Sequence, residues 1–241
     1  MKIIIVGGVA GGATAAARLR RLDEKAEILL LERGEFVSFA NCGLPYYLGG
    51  TIASRDALFV SDIPTITGKY GIEIRNFSKV MKINAEEKTV DVKNLKDGKR
   101  YSEKYDVLLL STGSSPFVPE IPGNNPDNVF TLWNIPDTDK IYNFIEEKKP
   151  KKALVIGGGF IGIEMAENLY DKGLDVTLAE LSEQIMPPFD PDMAKLLENH
   201  MQSKGIKLLI GKGISSFEQN GKIAVMSDGS KVETDITLLS I

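Results

Sequence analysis

Residues 151–173, KKALVIGGGFIGIEMAENLYDKG, read as an apolar strand, a glycine turn and a helix. The next stretch, LDVTLAE (174–180), is a second buried strand that ends in an acid, which completes a βαβ unit. A dinucleotide loop needs one glycine for its tight turn, a second where backbone meets pyrophosphate, and a third where helix packs on strand. Gly157, Gly159 and Gly162 supply all three, and the pyrophosphate is expected at the helix N-terminus, where Phe160 and Ile161 follow the turn. Glu180 stands at the strand end, placed to accept hydrogen bonds from ribose hydroxyls. Its charge would repel a 2'-phosphate, and LSEQ (181–184) offers no arginine to hold one, so NADH is expected rather than NADPH.

Working outward, KIIIVGGVAGGATAAARLRRL (2–22) repeats the plan, and AEILLLE (26–32) again closes on an acid, Glu32. This loop carries Gly7, Gly11 and Gly12, with Val9 at the middle position and Ala10 after it. Two such loops imply two different dinucleotides, a flavin exchanging electrons with a nicotinamide. The fold class is therefore α/β with two Rossmann-like dinucleotide-binding domains. The proline-rich stretch SPFVPEIPGNNP (115–126) reads as a linker, which sets the expected domains at 1–114 for FAD and 115–241 for NAD. Between the loops, residues 72–111 read as short strands with a turn at Asp97 and Gly98; 134–149 and 190–204 are helical by pattern. Residues 205–241 read as strands and tight turns, with Asn220 and Gly221 as a hairpin signal.

At 241 residues, 43% hydrophobic and 26% charged, the chain can bury a core. A net charge of -4 argues against a nucleic-acid surface. No stretch approaches the roughly 18 apolar residues of a membrane span, and the start lacks a secretory h-region, so a cytoplasmic protein without a membrane partner is expected. No metal site is expected. The single cysteine excludes an internal disulfide and fits a reducing compartment.

That cysteine, Cys42, lies in FANCGLPYYLGG (39–50). A lone cysteine serves either as a small buried apolar side chain or as a nucleophile. Asn41 as a helix N-cap and Pro45 in the first turn would put the thiol at a helix N-terminus, where the reactive thiolate is favoured. On the first helix, Ala10, Thr14, Arg18 and Arg21 share one face, which is either a solvated basic surface or a site for an extended phosphorylated ligand.

GGVAGGATAAARLRRLDE, ERGEFVSFANCGLPYYLGG, LLLSTGSSPFVPEIPG and GGGFIGIEMAENL together resemble the pyridine nucleotide-disulfide oxidoreductases. The resemblance is to their single-cysteine branch of coenzyme A-disulfide and NADH-dependent persulfide reductases. It implies the FAD/NAD(P)-binding three-layer ββα fold, with FAD and NADH as cofactors and Cys42 as the redox nucleophile. The oxidant it implies is coenzyme A disulfide or a persulfide, the second sulfur being the substrate's. Two-cysteine relatives carry C-x4-C, and here the second position is Tyr47. The resemblance further implies substrate contacts at Thr14, Arg18, Arg21, Ser38, Asn41 and, less closely matched, Lys69. It places adenosine contacts at Glu32 and Arg33, an adenine backbone contact at Val80, and the flavin-side strand end at Thr112 and Gly113. Phe160 is implied as an aromatic gate, against the alternative of core packing, and Glu164 as a neighbour of the nicotinamide.

NADH oxidases and peroxidases of the wider family place a histidine where this chain has Ala10, which disfavours peroxide chemistry. The only histidine, His200, is expected at the surface of a late helix. Relatives continue beyond the position of Ile241 with a segment that completes the flavin site and a dimerisation domain. The expectation is a truncated chain with weak FAD binding, its full-length form a homodimer. A non-catalytic nucleotide-binding fragment is the reading from another class.

Overall fold

The computed structural model describes residues 1–123 and 127–241. The expected linker at 115–126 thus lies partly outside the described residues.

Strand β1 (Lys2–Val6), helix α1 (Ala10–Leu22) and strand β2 (Glu27–Leu31) form the first βαβ unit. After a 3-10 turn at Asn41–Gly43 come α2 (Leu44–Gly49) and α3 (Ile63–Tyr70), then β3 (Glu73–Arg75), β4 (Ser78–Asn84), β5 (Thr89–Asn94), β6 (Arg100–Lys104) and β7 (Val107–Leu110). The continuous apolar runs of β1 and β2 are central strands of a parallel sheet in the order β3-β2-β1-β7. Their alternate side chains go to opposite faces. Ile3, Ile5, Ile28 and Leu30 pack with Ala16 of α1 and Ile66 of α3. Ile4, Leu29 and Leu31 meet Val90 and Val92 of β5, in the antiparallel sheet β4-β5-β6. Helices, parallel sheet and antiparallel sheet make three layers.

The second half repeats the plan with β8 (Val129–Phe130), α4 (Ile135–Lys148), β9 (Lys152–Ile156), α5 (Phe160–Asp171), β10 (Asp175–Glu180), α6 (Pro191–Ser203) and β11 (Lys207–Ile210). The chain then runs through β12 (Ile214–Glu218), β13 (Ile223–Met226), β14 (Lys231–Glu233) and β15 (Ile236–Leu239). Its parallel sheet has the order β11-β10-β9-β15-β8, and β12-β13-β14 covers one face of it through Leu154, Ile156, Phe217, Ala224 and Met226. Asn220 and Gly221 both have positive φ at the β12–β13 hairpin.

Contacts divide the chain into two compact units. One comprises Met1–Ala40 and Asp56–Ser114; the other comprises Asn41–Arg55 and Ser115–Ile241. The segment that carries Cys42 thus packs with the second unit. Three elements escape the sequence reading, one of them β8, a two-residue strand too short to show a pattern. In β6, RYSEK is an edge strand whose residues alternate between exposed and half-buried, so its apolar signal is weak. In α3, IPTITGKY is rich in β-branched residues, and the helix is set by its ends: Asp62 accepts from the Thr65 amide at 2.8 Å and Gly71 closes it at φ +59. No described helix is long and apolar enough to cross a membrane.

Candidate functional site

Each glycine loop is closed by the glutamate at the end of the following strand. Glu32 Oε2 accepts from the Gly8 amide at 2.7 Å and Oε1 from the Gly34 amide at 2.7 Å. Glu180 repeats this with Gly158 at 2.6 Å and Ser182 at 2.7 Å. Both carboxylates are 8% exposed, and a buried carboxylate is tolerable because backbone donors satisfy it. The match extends further. A residue in the left-handed region donates its amide to the second glycine's carbonyl in each loop: Ser38 (φ 51) to Gly8 at 2.9 Å, and Met186 (φ 48) to Gly158 at 2.8 Å.

The glycines are forced by sterics. Gly7 and Gly157 sit at φ +100 and +108, with the carbonyls of Ser111 and Ser240 against the space a Cβ would fill. A Cβ on Gly12 or Gly162 would collide with the carbonyl oxygen of Gly7 or Gly157. Gly159 is different, since nothing lies within 4 Å of a Cβ built there. Val9, its counterpart, has φ -90 and needs no glycine conformation. That explains how the first loop can depart from the full glycine pattern.

Val9 caps α1 and Gly159 caps α5, neither with a side-chain hydrogen bond, and neither first turn carries an acid. The leading amides are left to an external acceptor, which a dinucleotide pyrophosphate fits.

Cys42 is an exposed free thiol in the Asn41–Gly43 turn. The expected Asn41 cap is not formed. The N-cap of α2 is Gly43, without a side-chain bond, and the Asn41 amide instead reaches the Trp133 carbonyl at 3.5 Å. The 3-10 turn delays α2 by two residues and so moves Asn41 out of capping reach. Pro45 does stand in the first turn of α2. This short helix packs on α5, closely enough that a Cβ on Gly49 would collide with the Asn168 amide. Across that packing, the Glu164 carboxyl is pushed up by burial and by neighbouring Glu167. The Tyr46 phenol is also pushed up, by the charge of Glu164 first, then by burial, Glu167 and Cys42.

The sequence profile of the pyridine nucleotide-disulphide oxidoreductases matches residues 1–241. The chain belongs to the pyridine nucleotide-disulphide oxidoreductase family. It is 37% identical over 237 residues to a coenzyme A disulfide reductase of Staphylococcus haemolyticus, covering 98% of this chain and 53% of that protein. The crystal structure of reduced Bacillus anthracis CoADR-RHD superposes with a TM-score of 0.97 at 50% identity, over 100% of this chain and 43% of that one. The NAD-dependent persulfide reductase from A. fulgidus gives 0.93 at 33%, over 100% and 46%. The chain spans about half the length of the curated relatives it matches.

For a pyridine nucleotide-disulphide oxidoreductase, the remaining candidate residues fall as follows. Ala10, Thr14, Arg18 and Arg21 are all exposed on α1. Arg20, one position away, is committed to the carbonyls of Tyr70, Glu24 and Gly71. Lys69 holds its ammonium 5.3 Å from the Tyr70 ring. Arg33 reaches the Ser114 carbonyl at 3.4 Å, beside the exposed Thr112 and Gly113 that follow β7. Val80 lies where the pairing of β4 with β5 slips by a residue. Phe160 is 62% exposed with its ring edge-on to Phe189, so core packing is excluded for it. His200 is exposed on α6. Among the described residues, no group of three or more His, Cys, Asp or Glu side chains gathers as metal ligands would. The sequence reading misses Ser111, Ser240 and Met186, whose backbones shape the loops. Only the internal likeness of the two halves could have pointed to them.

Proposed function

We propose that the protein carrying this chain is an FAD- and NADH-dependent oxidoreductase that reduces coenzyme A disulfide or a coenzyme A persulfide at Cys42. The observation that carries the reading is an exposed, unpaired thiol in a chain with two glycine loops, each closed by its own glutamate. In the first unit, the leading amides of α1 and the end of β2 at Glu32 would hold FAD, with Arg33, Val80, Thr112 and Gly113 as further contacts. In the second unit, Gly157, Gly159, Gly162 and Glu180 would hold NADH, with Ile161 following the turn, Phe160 as the exposed gate and Glu164 near the nicotinamide. Bound FAD would supply a relay for the two electrons of NADH.

The chain's own chemistry lies at sulfur. Cys42 Sγ, as thiolate, attacks one sulfur of coenzyme A disulfide, forming a mixed disulfide and expelling one coenzyme A thiolate. Two electrons originating in NADH then cleave the mixed disulfide, which restores the Cys42 thiolate and releases the second coenzyme A. With a coenzyme A persulfide the same thiolate attacks the inner sulfur, forming the same mixed disulfide and expelling the outer sulfur as hydrosulfide, and the same two electrons then cleave it. Arg18 and Arg21, exposed on one face with Thr14, offer cations to the ligand's phosphates, and Ser38, Asn41 and Lys69 are its other candidate contacts.

The test is Cys42→Ser in the protein carrying this sequence, with NADH consumption followed against coenzyme A disulfide and against hydrogen peroxide. Loss of disulfide reduction by at least about 1000-fold is expected, because the nucleophile is removed. Retained disulfide reduction would sink the mechanism, and turnover with peroxide alone would point to the oxidase or peroxidase chemistry that Ala10 disfavours.

A further inference from the structure

The segment Asn41–Arg55 is a short excursion that packs as part of the second unit, and its hold there is specific. Arg55 makes a two-pronged ion pair with Asp139 of α4, Nε to Oδ1 at 2.7 Å and Nη2 to Oδ2 at 2.8 Å. Tyr47 of α2 stacks on Tyr142, also on α4, with ring centroids 5.2 Å apart and planes at 16°. Lys172 lies 5.7 Å from the same Tyr142 ring. Asp139 and Tyr142 are three residues apart, so they share one face of α4 and present one surface to the excursion. The second support is α5, where Gly49 leaves room for Asn168.

We propose that Arg55 and Asp139, together with the Tyr47–Tyr142 stack, are positioning residues for Cys42. They act through the excursion that carries the thiol. The inference rests on the proposed role of Cys42 and adds to it. Tyr47, five residues after the thiol, anchors the turn on α4. A bidentate Arg–carboxylate pair fixes direction as well as distance, and a half-exposed pair of that geometry exceeds an ordinary surface ion pair in holding a segment. Without it, the excursion keeps its α5 contact and the thiol samples a wider set of orientations.

The experiment uses the purified chain with Cys42 intact. Alkylation of Cys42 by iodoacetamide is followed as a function of pH, and amide hydrogen exchange is followed over residues 44–52, for the unsubstituted chain, Asp139→Asn and the exchanged pair Arg55→Asp/Asp139→Arg. The single substitution is expected to speed exchange of residues 44–52 by roughly three- to fivefold and to bring the alkylation rates toward those of the urea-unfolded chain. The exchanged pair is expected to restore both. Should Asp139→Asn speed exchange across the whole chain, Arg55→Lys decides, because it keeps the charge and loses the fork. It must move the alkylation curve while exchange of β9 and β10 stays unchanged. An unmoved curve in the variant that decides, or no recovery in the exchanged pair, overturns the proposal. Neither readout involves flavin, NADH or a coenzyme A substrate, so this inference and the proposed reaction can fail separately.

Discussion

Glu180 closes its loop with one carboxylate, and a second duty is proposed for the same group. Its oxygens hold the Gly158 and Ser182 amides, and its charge is proposed to face the ribose of a bound nucleotide. Glutamine keeps the shape but replaces one acceptor with a donor, which then points at a backbone N–H. Hydrogen bonds to a charged acceptor contribute about 1.5–3 kcal/mol each. Glu180→Gln is therefore expected to weaken NADH binding by roughly tenfold or more and to narrow its margin over NADPH, as measured by calorimetry with both nucleotides. Equal loss for the two nucleotides would assign Glu180 to loop closure alone. At this scale the sequence is informative. Gly157, Gly159, Gly162 and Glu180 are legible because their spacing is a local consequence of turn and helix geometry. Met186 is not legible, because its left-handed backbone is set by the Gly158 carbonyl it must reach.

At the scale of elements, the strand–turn–helix joints separate glycines needed for folding from one proposed for binding. Gly162→Ala drives a methyl into the Gly157 carbonyl and is expected to destabilise the second unit by about 1–3 kcal/mol, as overpacking does. Gly159→Ala meets nothing within 4 Å. It is expected to leave the thermal midpoint within a degree or two while NADH affinity falls, since its methyl enters the space assigned to the pyrophosphate. Thermal melts and NADH titration of both variants check the pair of outcomes, and a Gly159→Ala chain with undiminished affinity would contradict the fit. The helix of the Cys42 segment shows the limit of local reading. Asn before Cys-Gly-Leu-Pro has the composition of a cap, yet the turn at Asn41–Gly43 hands that position to Gly43.

At the scale of the whole molecule, charge joins the layers of the first unit. Lys2 on β1 reaches Glu27 on β2 at 3.0 Å and Glu103 on β6 at 2.8 Å. Arg75 on β3 binds Glu103 at 2.5 Å and Glu73 at 2.6 Å. Burial alone would push the Glu103 carboxyl up, but hydrogen bonds from Lys2 and Arg75, with their charges, outweigh it and hold the group below the usual range. A carboxyl depressed in the folded state stabilises the fold above its unfolded value, about pH 4.3, and loses that contribution as pH falls through the folded value. Lys2 is raised, chiefly by the Glu103 hydrogen bond, so its share is present below about pH 10.4 and fades as pH rises through its folded value. Melts followed by circular dichroism should show a midpoint that drops below about pH 4, with Glu103→Gln lowering the neutral-pH midpoint and flattening the acid limb. An identical acid limb in that variant would remove Glu103 from the account.

By itself the sequence determined the two βαβ units, their α/β class, the two glycine loops with their acids, and the singularity of the thiol. The last is a count; the others follow from apolar periodicity and from glycine spacing over fewer than about 35 residues, the length of one such unit. Tertiary structure alone decided that the Cys42 excursion packs with α4 and α5, that Tyr47 and Arg55 are its anchors, and that Phe160 stays exposed. The hold on the excursion depends on residue pairs roughly 80 to 120 positions apart, and only the packing of one element on another brings such residues together.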